Sequence, residues 1–303
     1  MSENIDPKIL FDLIAHHLPT ELHRHVLIAG SLAAAYHHRD RLIGGVINTK
    51  DADVVIQPAG AVAECERVAK LLLTRGWRRT NVCFGRATPK PTDGSPTDDW
   101  LRAIRLLPKD SDAYFLELLS FPATDQREIK RWEPCQLDDG WYGLPCFRYM
   151  GLTATDRRVS ESGISHASPA MMALANLLSH PTLRAAGTIG KPEGGRTILR
   201  AAKDLGRVLA LAWLASTDEL REWVNLWEPA LRERFSSEHR ALARRAGEGL
   251  RELLADPDAL DQARHSVDTG LLRGHGMDAA KLRAVGEQLL VFALEPLASR
   301  GKN

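Results

Sequence analysis

Apolar residues recur at helical spacing near the start of the chain, at Ile9, Leu10, Leu13 and Ile14. Asp6 ahead of Pro7 supplies an N-cap and a first turn, so the spacing predicts a helix over 5–18. Residues 25–29 break that rhythm with a continuous apolar run that reads as a short buried strand, ending at Gly30-Ser31. Residues 32–38 return to helix, and residues 53–56 form a second apolar strand stopped by Pro58. Over 60–75 the apolar positions Ala61, Ala63, Val68, Leu71 and Leu72 mark an amphipathic helix that Gly76 ends.

The texture then changes. Residues 77–84, 100–107 and 113–121 read as strands, and residues 135–152 as a small hairpin. Residues 85–99, rich in Pro, Gly, Thr and Asp, read as a long loop of the kind that serves as a functional flap or stays mobile; Lys90 lies within it. From about 160 the pattern is almost entirely helical. Ser168-Pro169 opens a helix over 171–178, 195–215 is a long helix, and Ser216 with Glu219 forms a capping-box pattern. Asp256-Pro257 and Asp278 open two more, and Trp213, Trp223 and Trp227 fall at helical spacing as packing residues. The expected fold class is α+β: a small mixed sheet flanked by helices over 1–155, then an all-α helical domain over 156–303.

Composition narrows the function. The chain has 303 residues with 40 Lys+Arg against 39 Asp+Glu, which argues against a broad nucleic-acid coat but leaves room for a local basic site. The most apolar stretch, 208–215, is far short of the roughly 20 residues of a membrane span. Residues 1–8 lack the basic and apolar regions of a secretory signal, so a cytoplasmic protein without membrane partners is expected. Cys65, Cys83, Cys135 and Cys146 have no metal-binding spacing and read as scattered free thiols.

The informative constellation is a strand, Gly30-Ser31, a helix, then Asp51-Ala52-Asp53 leading into an apolar strand. A Gly-Ser turn opening a helix offers N–H groups and a hydroxyl where the helix dipole favours phosphate. Asp51 and Asp53, two apart on a strand, share one face, and two close carboxylates repel unless a divalent cation lies between them. Mg²⁺ takes hard oxygen ligands together with substrate phosphate. Glu117, an acid inside the apolar run 115–119, is the candidate third carboxylate, since a lone acid in a buried strand is costly unless paired or ligating.

The segments 28–33 (IAGSLA) and 49–56 (TKDADVVI) resemble the DNA polymerase β-like nucleotidyltransferase superfamily, with Glu117 where a third acid follows on a later strand. The resemblance implies Mg²⁺-dependent transfer of a nucleoside monophosphate from an NTP to a hydroxyl. It implies that Asp51 and Asp53 hold metal, that Gly30 and Ser31 meet the triphosphate, and that Glu117 is a metal ligand or base. Lys203-Asp204-Leu205 within 196–212 is similar to a helix of the abortive-infection type members, which include toxins of toxin–antitoxin pairs. That similarity brings RNA and a cognate antitoxin in as implied partners, beside small-molecule and protein acceptors.

Arg196, Arg200, Lys203 and Arg207 fall on one helical face, readable either as a solvated face or as a phosphate-binding border of the cleft between the domains. His37-His38-Arg39-Asp40-Arg41 reads as a solvated helix end, and His16-His17 as surface. The reading of a different class is a nucleotide-fold protein that binds or scaffolds without catalysing.

Overall fold

The computed structural model describes residues 5–49, 51–79, 102–123, 130–183, 188–189 and 198–301. They form two compact units, one of Met1–Ala33 with Thr49–Ala167, the other of Ala34–Asn48 with Ser168–Asn303. The expected strands at 80–84 and 100–101 and the expected loop at 85–99 lie outside the described residues, as do Lys50, Cys83, Lys90 and Arg196.

The first unit opens with α1 (Pro7–His17), where the Asp6 side chain accepts from the Lys8 N–H at 2.8 Å and Pro7 occupies the first turn. Leu10, Phe11 and Ile14 are its buried stripe, whereas Ile9 faces outward. A single turn, α2 (Thr20–His23), leads into β1 (Val26–Ala29), whose four apolar residues are all buried. Helix α3 (Gly30–His37) starts at a glycine with φ +67, a conformation that costs a side-chain-bearing residue energy. Then come β2 (Asp51–Ile56), α4 (Val62–Thr74), β3 (Arg78–Arg79), β4 (Arg105–Leu107), β5 (Phe115–Leu119), the hairpin β6 (Lys130–Leu137) and β7 (Gly140–Phe147), and the short strands β8 (Arg157–Val159) and β9 (Ser165–Ala167).

Seven strands make one mixed sheet in the order β3-β4-β5-β2-β1-β9-β8. The β2–β5 and β1–β9 pairs are parallel and the others antiparallel. Strands β8 and β9 lie beyond residue 155, in a stretch whose pattern had suggested helix. They are three residues long and β8 is wholly exposed, so neither carries the alternation that reveals a strand. Pairing of β9 with β1, and of β8 with β9, places both in the sheet unit. The hairpin forms a separate two-stranded sheet, and α4 packs on it.

The second unit is helical: α5 (Pro169–Leu183), a two-stranded pair β10 (Thr188–Ile189) and β11 (Ile198–Leu199), α6 (Arg200–Leu214), α7 (Thr217–Arg234), α8 (His239–Arg245), α9 (Glu248–Ala255), α10 (Pro257–Thr269), α11 (Ala279–Leu289) and α12 (Glu295–Arg300). Helix α6 starts at Arg200, not at 195, because Ile198 and Leu199 pair with Ile189 and Thr188. The expected caps form: Ser216 and Glu219 make a reciprocal box on α7, and the Asp256 and Asp278 side chains cap α10 and α11. Trp227 is fully buried and donates its indole N–H to the Ala170 carbonyl at 2.8 Å, with the Trp223 ring 5.5 Å away. Trp213 instead stays partly exposed, off the buried stripe of α6. Gly206 lets α6 approach α10: a Cβ there would lie 3.0 Å from the Ala263 carbonyl oxygen. The stretch Ala34–Asn48 is tied into this unit by Arg41, which donates to the Leu214 carbonyl and pairs with Glu219 at 3.0 Å.

Candidate functional site

Strand register assembles the site. In β2 the side chains of Asp51 and Asp53 are half-buried, whereas the alternate residues Ala52 and Val54 are buried. In β5, Phe115 and Glu117 are likewise half-buried against buried Leu116 and Leu118. Alternation therefore puts Asp51, Asp53, Phe115 and Glu117 on one face and the aliphatic residues on the core face. Asp53 pairs with Glu117 across the parallel β2–β5 ladder and with Ala29 across the antiparallel β1–β2 ladder. Arg105 pairs with Glu117 across β4–β5. A transverse row of Arg105, Glu117, Asp53 and Ala29 thus crosses four strands, each about 4.8 Å from the next, and ends beside Gly30.

Each acid on this face has a neighbour that positions it. The Thr49 hydroxyl donates to Asp51 Oδ1 at 2.9 Å. The Asp53 carboxylate packs so closely on Gly30 that a Cβ at that glycine would lie 2.1 Å from Oδ2. Ser31 is half-buried in the first turn of α3, next to that contact. Glu117 receives Arg105 through Nη2 at 2.9 Å and Nε at 3.2 Å, and both side chains are less than a fifth exposed. That pair limits Glu117: a carboxylate already held by two guanidinium nitrogens has less lone-pair capacity for a cation or a proton. Among the described residues no three His, Cys, Asp or Glu side chains gather as a metal-binding group.

Two residues of this arrangement escape sequence patterning. Arg105 is a charged residue beside the apolar Ile104, Leu106 and Leu107, the same signal that singles out Glu117, but only register shows that the two meet. Thr49 lies next to the acidic motif, and nothing in its spacing indicates the bond to Asp51.

The basic residues expected to meet phosphates lie in the helical unit. Arg200 is exposed at the start of α6, and Lys203 and Arg207 are half-buried along it. Asp204, buried on the same helix, lies 4.0 Å from both Arg200 and Arg207, so part of the stripe is internally neutralised. Arg196 is outside the described residues.

Among the described residues the cysteines supply no nucleophile. The Sγ atoms of Cys65 and Cys135 touch at 3.9 Å in the core, and Cys146 is also buried and free. The hydrogen bond with Cys135 and burial push the Cys65 thiol well above its ordinary pKa, and burial raises that of Cys146. These three of the four expected free thiols are therefore inert ones. No helix among the described residues is long and apolar enough to cross a membrane.

No family model and no curated protein matches the chain. Among solved structures, the Bradyrhizobium diazoefficiens CD-NTase CdnG in complex with GTP aligns with 98% of this chain and 95% of its own, at 13% sequence identity and a TM-score of 0.24. A score that low does not establish a shared fold, and the chemistry below follows from this chain's own residues.

Proposed function

We propose that the sheet unit binds a nucleoside triphosphate together with a divalent cation and transfers its nucleoside monophosphate to a hydroxyl, whose oxygen replaces pyrophosphate on the α-phosphorus while its proton passes to solvent. The observation that carries this reading is the seating of Asp53 against positive-φ Gly30 at the mouth of α3, with Asp51 on the same face. Two hard carboxylates next to a helix N-terminus are the donor set that a cation carrying phosphate ligands takes.

Asp51 and Asp53 fit the cation. They would hold it, and it would supply charge neutralisation at the phosphates. The α3 N–H groups and the Ser31 hydroxyl would orient the phosphate oxygens. Glu117 fits less well as a third ligand or base than the resemblance implies, because two Arg105 nitrogens already lie on its Oε2. This reading gives the Arg105–Glu117 pair a positioning role: it neutralises the acid beside Asp53 and keeps the row in register. Arg200 and Lys203 belong to the other unit, and a phosphate role for them rests on the sequence pattern alone. The acceptor class, whether small molecule, protein or RNA end, and an antitoxin partner follow only from the resemblance.

The same ion pair favours a second reading, a nucleotide-fold protein that binds or scaffolds without catalysing. One experiment separates them. The chain is incubated with each of four labelled NTPs, with and without Mg²⁺, against RNA, protein and small-molecule fractions of a cell extract, beside Asp51→Asn and Asp53→Asn. Transfer is expected that needs Mg²⁺ and is lost in both variants while their thermal unfolding stays cooperative. Label incorporation equal in wild type and both variants overturns the assignment. NTP-dependent stabilisation without transfer supports the binding-only reading.

A further inference from the structure

The helical unit contains a cleft of about 520 Å³ between α7, α8 and α12, and its charge is unbalanced. Among the described residues, Arg232, Arg240 and Arg300 line it with Glu228 as the one carboxylate, so three guanidinium charges meet a single negative one there. Glu228 serves two of them. Its Oε1 takes Arg232, on the same helix, at 2.6 Å, and its Oε2 takes Arg300, 72 residues away in sequence on α12, at 3.2 Å. One carboxylate thereby fixes two guanidinium groups on one wall, and Arg240 adds a third from α8. His239, on the same rim, gives its Nδ1 to the Ser236 carbonyl at 2.7 Å; a carbonyl only accepts, so Nδ1 carries the hydrogen and Nε2 is left for another contact. Leu231 supplies a buried apolar floor.

We infer that this cleft is a binding site for a small organic phosphate carrying at least two negative charges. With Glu228 counted, two net positive charges remain among the described lining residues, and a concave wall concentrates their field. Guanidinium forks match phosphate oxygens in pairs. A cleft of this volume suits a ligand of nucleotide size better than an extended polymer. The site uses none of the residues of the sheet unit and needs no divalent cation, so it stands whether or not the transfer reading does.

The test is calorimetric titration of the full chain in EDTA with inorganic phosphate, pyrophosphate and ATP, beside NaCl at matched ionic strength. Pyrophosphate and ATP are expected to bind, and Arg240→Gln to weaken each by about tenfold or more. Arg240 is exposed, so the variant should unfold at the wild-type temperature. ATP is expected to bind more tightly than pyrophosphate, and equal affinity overturns the organic part of the assignment by showing that the phosphates alone are recognised. No saturable binding by any probe, a heat reproduced by NaCl, or unchanged affinity in Arg240→Gln overturns the proposal.

Discussion

The Asp53 carboxylate fills the space that a side chain at Gly30 would need, with only 2.1 Å left between its Oδ2 and a Cβ there. The glycine's positive φ and its missing side chain therefore serve a single contact, between the turn that opens α3 and the acid at the centre of β2.

Gly30→Ala should pay twice, once for the left-handed backbone and once for pushing Asp53 aside. The backbone part is about 1–3 kcal/mol. Gly60 has a similar φ of +66 with nothing within 4 Å of its Cβ position, so Gly60→Ala isolates that part. Urea unfolding of the two variants should show a larger loss for Gly30→Ala, and only Gly30→Ala should lose stabilisation by Mg²⁺ with NTP. Equal losses in both would mean that Asp53 moves freely.

Arg105→Gln leaves Glu117 beside Asp53 without its cation. Removing one partner of a largely buried pair is destabilising, here by about 1–3 kcal/mol at neutral pH. Adding Glu117→Gln removes the stranded charge, so the double variant should be more stable than Arg105→Gln alone. Chemical unfolding of all three variants measures the coupling, and strictly additive losses would contradict it.

His38 sets a pH dependence in the helical unit. It is 4% exposed, its Nε2 has no hydrogen-bond partner among the described residues, and its pKa falls to about 4. Burial is the main cause, helped by His37 and Arg41 and opposed by Glu219. The unfolded chain, with an ordinary histidine pKa near 6.5, takes up the proton first as pH falls. Stability from this group is thus full above about 6.5 and declines as pH falls toward 4, by about 3 kcal/mol in all. Urea midpoints from pH 7 to 4.5 should show a shallower decline in His38→Gln than in wild type.

Native labelling should respect the buried thiols. A thiol reagent is expected to leave Cys65, Cys135 and Cys146 unmodified in the folded chain and to modify all four cysteines in denaturant. Mass mapping of the labelled peptides checks this, and rapid native labelling of Cys65 would mean that α4 opens readily from the hairpin.

Much of this was legible in the chain because local signals and packing agree. Asp6-Pro7, Ser216 with Glu219, and Asp278 each cap a helix where their spacing indicates one. The apolar runs at 26–29, 53–56 and 115–119 all enter the sheet. What local pattern cannot carry is register. Asp53 meets Glu117, and Glu117 meets Arg105, only because β5 lies between β2 and β4, and strand order is a property of distant pairings. The strands β8 and β9 are too short to show alternation, and Ile198-Leu199 looks helical until its partner at 188–189 is known.

The helical unit is assembled from two stretches, Ala34–Asn48 and Ser168–Asn303. Arg41 and Glu219, which join them, are 178 residues apart. Translation is vectorial, so the first stretch leaves the ribosome long before the helices it packs on exist. The sheet unit ends at Ala167, one residue before the rest of the helical unit begins. A nascent chain can therefore complete the sheet while its early excursion waits, and a chain halted near 167 would carry residues 34–48 as an open, protease-sensitive loop.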